Sequence, residues 1–324
     1  MVHSFKNLNF GESENLWNDL LAKSESSIFL THKWQNIWWK IFGSSYESKI
    51  VLLENDEHIL GIAPMMQRGA TLSFIGNSDL FDYHDFIINH SQDSDTFYDG
   101  LINAIKNENW TTLDLSSIKE NSLTLDYLPE RLQGIGCTVH VEIEDVVPGL
   151  NLPSVWEEYL GNLRKKDRHE LRRKLRRLDS AGEYNLVTTT NETLEGDIVT
   201  FLDMMAESKE DKRDFMDPQR VIFFQTVISE MLDEGLAKLF FLEIGSRKVA
   251  SALCFDLGAS RFLYNSGYRI DESQYSVSLL LKALTINDAI EKQMGYYDFL
   301  RGNEQYKFHL GAEEINLMRL VASR

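Results

Sequence analysis

One order of predicted elements occurs twice in this 324-residue chain, and few folds accommodate it. Between Lys49 and Leu115 the pattern reads strand, strand, strand, loop, helix, strand. The strands fall at Lys49–Leu53, Ile59–Gln67 and Thr71–Ile75. A loop over Asp79–Asp85 follows, with a short strand Phe86–Ile88, a helix over Asp95–Asn107 and a strand Thr111–Leu115. Between Ala237 and Leu300 the order returns: strands Ala237–Ile244, Lys248–Asp256 and Arg261–Ser266, a loop from Gly267, a helix Val277–Gln293 and a strand Tyr296–Leu300. Residue identity between the two stretches is low. A repeated order without repeated residues points to two copies of one structural unit. The expectation is therefore an α+β (mixed α/β) chain of two domains, 1–147 and 148–324, which also suits the length.

The remaining text fills in around this repeat. Trp34, Ile37, Trp38 and Ile41 recur at helical spacing over Thr31–Phe42, with Thr31 as N-cap; an earlier helix is expected over Ser13–Ala22. Trp34, Trp38 and Trp39 read as core. Turns are expected at Asn55-Asp56-Glu57 and Arg68-Gly69-Ala70. A helix over Ser122–Leu132 and a strand over Cys137–Ile143 close the first half. In the second half, Ser154-Val155-Trp156-Glu157 has the form of a capping box. A basic helix over Asn162–Ser180, a strand Glu183–Thr189, helices Glu192–Ser208 and Pro218–Asp233, and a closing strand Ile315–Ala322 complete the reading.

Charge excludes some functions and singles out one segment. The net charge is −17, which repels nucleic acid and anionic membranes in bulk. Yet Arg164–Arg177 carries nine basic and two acidic residues, leaving −24 on the rest of the chain. Leu163, Leu171, Leu175 and Leu178 make an apolar stripe on that helix. Its arginines, Arg168 and Arg172 among them, read either as a solvated face paired with acids or as an anion site for a phosphate or carboxylate. Nucleic acid is a poor fit, because few aromatics interleave with the charges. Cys137 and Cys254 lie in apolar, strand-like text without metal-ligand spacing, and read as buried reduced thiols. No run is long and apolar enough to span a membrane and no signal peptide is evident, so a cytoplasmic location is expected.

Two loops hold the density of functional groups that chemistry needs. In Asp298-Phe299-Leu300-Arg301-Gly302-Asn303-Glu304-Gln305-Tyr306-Lys307, a strand ends at a flexible glycine among acids, bases and a phenol, within what reads as strand, loop and strand. Acyl transfer to an amine needs a base and an oxyanion donor. Glu304 or Asp298 can be the base. Lys307 can stabilise charge, and Tyr306 can protonate the leaving group or position the acceptor. The alternative is a structural loop with Lys307 paired to Glu304 and Arg301 to Asp298. In the first half, Asp82-Tyr83-His84-Asp85 sits at the matching place. It can grip a polar acceptor, with Asp85 as a base, or be a solvated turn; it does not suit a metal. Ser276 or Ser278 can cap the helix after the third strand of the second repeat, and a helix N-terminus can hold a pyrophosphate.

The chain also resembles the GNAT-type acyltransferases grouped with the cellulose-biosynthesis protein CelD, relatives of the Fem-type tandem GNAT peptidyltransferases. Thr31-His32-Lys33-Trp34 with Trp38, Asp82–Phe86, the run Arg164–Leu178 and Asp298–Lys307 carry the likeness. The resemblance implies tandem GNAT-like units, each a mixed, mostly antiparallel sheet flanked by helices. It implies an N-acyltransferase moving an acyl group from acyl-CoA (acetyl-CoA) to an amino group of a small or sugar-like acceptor, in cell-envelope or exopolysaccharide metabolism, without a metal. The donor site falls in the second unit, its pyrophosphate at Ser276, Val277 and Ser278. The implied catalytic candidates are Asp85, Glu304, Tyr306 and Lys307; those toward the acceptor are Asp82, Tyr83, His84, Asp298, Arg301, Arg168 and Arg172. One departure stands out: the family usually places a glycine-rich turn where this chain has Tyr275-Ser276-Val277-Ser278. An aminoacyl-tRNA donor and a non-catalytic binding protein are the alternatives.

Overall fold

The computed structural model describes residues 4–22, 27–55, 58–89, 93–180, 182–208 and 210–324. The chain divides into two compact units, one comprising the residues up to Val146 with Ile315–Arg324, the other Val147–Glu314.

The chain order in the first unit is β1 (Ser4–Leu8), α1 (Phe10–Leu21), α2 (His32–Phe42), β2 (Glu47–Glu54), β3 (Ile59–Arg68), β4 (Thr71–Phe74), β5 (Ile87–Ile88), α3 (Ser94–Ile105), β6 (Thr112–Lys119), α4 (Leu123–Gly134) and the start of β7 (Thr138–Asn151). The second unit follows with α5 (Trp156–Asn162), α6 (Lys165–Asp179), β8 (Tyr184–Thr188), α7 (Leu194–Ser208), α8 (Glu210–Phe215), α9 (Pro218–Asp233), β9 (Ala237–Ile244), β10 (Arg247–Leu257), β11 (Ser260–Tyr268), α10 (Val277–Glu291), β12 (Tyr296–Asp298) and α11 (Gln305–His309). The last strand, β13 (Glu313–Ser323), pairs antiparallel with β6.

The repeat read from the sequence is present in the pairing. β2, β3 and β4 are antiparallel neighbours, and β4 then runs parallel to β6 over Thr71–Ser73. β9, β10 and β11 are antiparallel neighbours, and β11 runs parallel to β12 over Ser260–Phe262. A parallel neighbour requires a crossover, which α3 and α10 supply. Each unit is thus a mixed sheet with helices on its faces. In the first, α3 and α4 bury Phe97, Tyr98, Leu101 and Leu128 against the sheet; Trp17, Trp34, Trp38 and Phe29 form a second aromatic cluster around α1 and α2. In the second, α10 and α6 cover one face through Leu280, Ile286, Leu171 and Leu178. Elsewhere in that unit Phe224 packs on Tyr264, and Tyr264 on Phe255.

Several local expectations change. Ser154 is no cap, because the helix starts at Trp156 and Val155 takes the N-cap position without a side-chain hydrogen bond. The closing loop contains a helical turn, α11, so the final segment is not a plain strand-loop-strand. β1 and α8 were not expected; both are short and lack strong periodicity. Thr31 caps α2 by accepting from Trp34 N, as read. The turn Arg68-Gly69-Ala70 is present, whereas of Asn55-Asp56-Glu57 the last two residues lie outside the described residues. Both cysteines are free and buried.

Arg261 fastens one end of the second sheet. It is fully buried, grips Asp256 with two parallel bonds (2.7 and 2.8 Å), and reaches Asp288 Oδ2 at 2.6 Å and the Thr285 carbonyl at 3.0 Å. One side chain thereby joins β10, β11 and α10. Removing a buried ion-pair partner leaves uncompensated charge. Arg261→Met is therefore expected to destabilise the protein by about 3 kcal/mol or more, read as a lowered urea midpoint with the m-value unchanged.

Candidate active site

β11 and β12 stay together only briefly. Ser260–Phe262 pair with Tyr296–Asp298, after which β11 runs on to Tyr268 while β12 ends. Two features of β11 explain the parting. Leu253 faces Asn265 and Cys254 faces Leu263, so Tyr264 is an extra residue, and such a bulge bends its strand. At Gly267 the helix α7 rests directly on the strand: a Cβ there would lie 2.4 Å from the backbone of Met204 and Met205. Lys212 of α8 adds a tie, donating to Asn265 Oδ1 (2.7 Å) and the Ser266 carbonyl (2.5 Å).

β12 leads into the polar loop. Asp298 is buried and its Oδ1 accepts the N–H of Leu300 at 2.8 Å. Leu300 has φ +58°, a left-handed conformation that costs a branched side chain energy, and Gly302 has φ +107°. Lys307 holds this turn together. Lys307 is 1% exposed, and its ammonium donates to the carbonyls of Leu300 (2.9 Å), Arg301 (2.7 Å) and Gly302 (2.9 Å), with Glu304 Oε2 also at 2.9 Å. An ammonium has three protons, and here all of them face oxygens of the loop itself. Glu304 is exposed at the start of α11. Tyr306 is half-buried, its ring edge-on to Phe299 at 6.3 Å and under Lys282 Nζ at 4.8 Å. Burial, with the nearby Glu304 charge, pushes the Tyr306 phenol up, so it stays protonated at neutral pH. Arg301 is half-buried.

α10 begins close after the end of β11. Ser276 occupies its N-cap with φ +58°, but its side chain does not cap the helix. The Ser276 hydroxyl accepts from Lys174 Nζ of α6 at 2.7 Å. Ser278, in the first turn, accepts from the buried Lys282 at 2.8 Å through its hydroxyl. Ser276 thus takes the left-handed conformation for which glycine is the usual choice. On α6, Arg168 donates to the Gly161 carbonyl (2.9 Å) and Arg172 pairs with Glu157 (3.0 Å). Lys174 lies within the basic run read as a candidate anion site, whereas Lys212 and Lys282 escaped sequence reasoning. Of these two, Lys282 alone left a signal there, as a charge inside the apolar run Leu279–Ala283.

In the first unit, Asp82–Asp85 is not a solvated turn. Tyr83 and His84 are buried, and His84 stacks between Phe74 (5.5 Å) and Phe81 (4.8 Å). Asp82 is half-buried. Lys119 Nζ lies 4.2 Å from the Tyr83 ring centroid. Asp85 accepts from the hydroxyls of Ser122 and Thr124, both at 2.5 Å, and from Phe86 N at 2.9 Å. It thereby ties the loop to the start of α4. Burial pushes its carboxyl above the usual range, against the pull of those hydrogen bonds and of Lys119.

A two-unit mixed fold, each unit with a parallel pair reached by a crossover helix, is the fold seen in tandem GNAT proteins. Residues 165–308, under half of the chain, match the profile Acetyltransf_6, described as an acetyltransferase (GNAT) domain. Solved structures similar over the full chain include FemX (TM-score 0.65, 10% identity, 98% of this chain and 96% of that one). The C-terminal DUF2156 domain of a putative lysylphosphatidylglycerol synthetase from Agrobacterium fabrum aligns with TM-score 0.59 at 8% identity (97% and 92%). A tandem GNAT protein of the clavulanic acid biosynthesis pathway aligns with TM-score 0.51 at 12% identity (98% of each). At these identities the likeness is one of fold. No curated protein sequence matches the chain significantly. Among the described residues no helix is long and apolar enough to cross a membrane, and no cluster of His, Cys, Asp and Glu forms a metal site.

Two outcomes follow from this geometry. Lys307→Met leaves three carbonyls without their cation, each unsatisfied group costing about 1–3 kcal/mol; amides over 298–311 should exchange hydrogen at least about tenfold faster, as measured by mass spectrometry, while the first unit's rates are unchanged. For Asp85, a folded-state pKa raised above the unfolded value means its stabilisation is complete below about pH 3.9 and declines as pH rises through the raised value. The stability difference between wild type and Asp85→Asn should therefore shrink with rising pH in urea titrations between about pH 4 and 8.

Proposed function

We propose that the second unit transfers an acyl group from acyl-CoA to the amino group of a small or sugar-like acceptor, as in cell-envelope or exopolysaccharide metabolism. The observation that carries this reading is the parting of β11 from β12 next to an α10 N-terminus that no side chain caps. The first-turn N–H groups around Ser276, Val277 and Ser278 suit a pyrophosphate, with Lys174 as a neighbouring cation. The left-handed Ser276 brings the backbone round without a glycine. The thioester then occupies the gap between the strands, and a backbone N–H at the Tyr264 bulge faces its carbonyl oxygen as oxyanion donor.

The amine attacks the thioester carbonyl, a C–N bond forms, the C–S bond breaks, and the amine proton leaves by way of the base. We assign the base to Glu304, the exposed carboxylate of the loop, held in place by Lys307. Tyr306 stays protonated and donates to the departing sulfur. Asp298 and Arg301 shape the acceptor side of the loop, and Lys307 acts by positioning. In the first unit, Asp85 holds its own loop. Transfer is direct, because burial pushes the Cys254 thiol up to about 12 and leaves no thiolate to form an acyl-enzyme.

A second reading takes aminoacyl-tRNA as donor. The basic helix α6 favours it and the charge of −24 elsewhere opposes it.

The test is calorimetry with a series of CoA thioesters, followed by thiol-release kinetics with amine acceptors. Glu304→Gln should lower kcat by about 100-fold with little change in the donor KM. If no CoA thioester binds at millimolar concentration, the proposal fails.

A further inference from the structure

The basic helix carries more positive charge than a CoA molecule needs. Leu171 and Leu178 bury one side of α6. On the other, Lys165, His169, Arg172 and Arg176 are exposed at spacings of four, three and four residues, with Lys166, Arg173 and Arg177 in the adjoining row. At 1.5 Å per residue the face is about 16 Å long. Glu157 and Glu170 neutralise Arg172 and Arg173. Among the described residues, Arg164, Lys165, Lys166, Arg176 and Arg177 have no carboxylate partner. They stay unpaired in a chain whose remainder carries −24, where acids are in excess. The same helix reaches the proposed donor cradle: Lys174 bonds Ser276, and the Arg177 guanidinium lies 5.9 Å from the Tyr275 ring centroid.

We infer that the exposed face of α6 docks a small acidic protein that carries the acyl group on a phosphopantetheine arm. This rests on the acyl-transfer reading above and specifies its donor. The chemistry at the sulfur is the same: the carrier's thioester is cleaved, the amide forms, and the carrier leaves as the free thiol. The phosphates of free CoA are served by Lys174 and the first turn of α10, which leaves the outer face without a role in binding CoA. An acidic protein of modest size matches it, forming a few ion pairs there while touching little of the acidic remainder. A long polyanion such as RNA extends beyond the face and meets that remainder, and the face offers it no tyrosine, phenylalanine or tryptophan for stacking.

The experiment titrates fluorescently labelled bacterial acyl carrier protein, in holo and acyl-loaded forms, against the full chain and its Lys165→Glu/Lys166→Glu/Arg176→Glu variant. Binding is expected at about 50 mM salt, weakened at least about tenfold at about 300 mM and at least about tenfold by the variant. Turnover with the acyl-carrier should fall in parallel, while turnover with acyl-CoA stays within about twofold. Circular dichroism checks folding, and Lys165→Gln/Lys166→Gln carries the test if the triple variant unfolds. The inference is overturned if the carrier does not bind, if the variant binds it equally well, or if a tRNA probe binds in a variant-sensitive way and the carrier does not. If carrier binding depends on the face but neither donor is turned over, the docking surface stands and the acyl-transfer reading falls.

Discussion

Arg261 holds one end of the second unit's sheet closed, and the opening at the other end depends on it. Where Arg261 sits, β11 is flanked by strands on both sides and stapled to Asp256 and Asp288. A few residues further, the bulge at Tyr264 and the contact of α7 at Gly267 draw β11 away. Bending a strand from both ends would break the sheet. Fixing one end by a buried ion pair lets curvature accumulate at the other. A buried ion pair is weak evidence of net stability, but it is specific in direction, and direction is what a cleft between two parallel strands requires.

The polar loop poses the complementary problem. Its backbone must turn through Leu300 and Gly302, both at positive φ, and its carbonyls then converge. Converging carbonyls repel unless a cation sits among them, and Lys307 provides it. The side chain that reads most readily as a catalytic charge is therefore committed to the loop's shape, and the carboxylate beside it remains at the surface.

The alternation of strands and helices was legible because periodicity and turn residues are local, and the repeated order recurs in the strand pairing of β2–β6 and β9–β12, whereas the return of Ile315–Arg324 to the first unit was not read. The parting was not legible, because it depends on register: nothing in Leu263-Tyr264-Asn265 announces that one residue will be extra. Nor was the burial of Tyr83 and His84. A run of Asp, Tyr, His and Asp is polar by composition, yet Phe74 and Phe81 lie on either side of the imidazole in space though not next to it in the chain. The Lys307 cage was half visible: the pairing with Glu304 was among the readings, but three backbone carbonyls leave no trace in a sequence.

Ser276 shows how a turn that glycine usually makes can be built without one. The requirement at the start of a phosphate-binding helix is a backbone turn with its amides exposed, and glycine meets it most cheaply. A serine at φ +58° meets it at a steric cost, and that cost needs an offset. The Lys174 bond to the serine hydroxyl supplies one. It also draws the hydroxyl toward α6, so that the side chain which would ordinarily cap the helix leaves the first-turn amides uncapped. A serine at this turn therefore ties α6 to the start of α10. The uncapped first turn of α10 and the exposed cationic face of α6 are thereby joined through one lysine, Lys174.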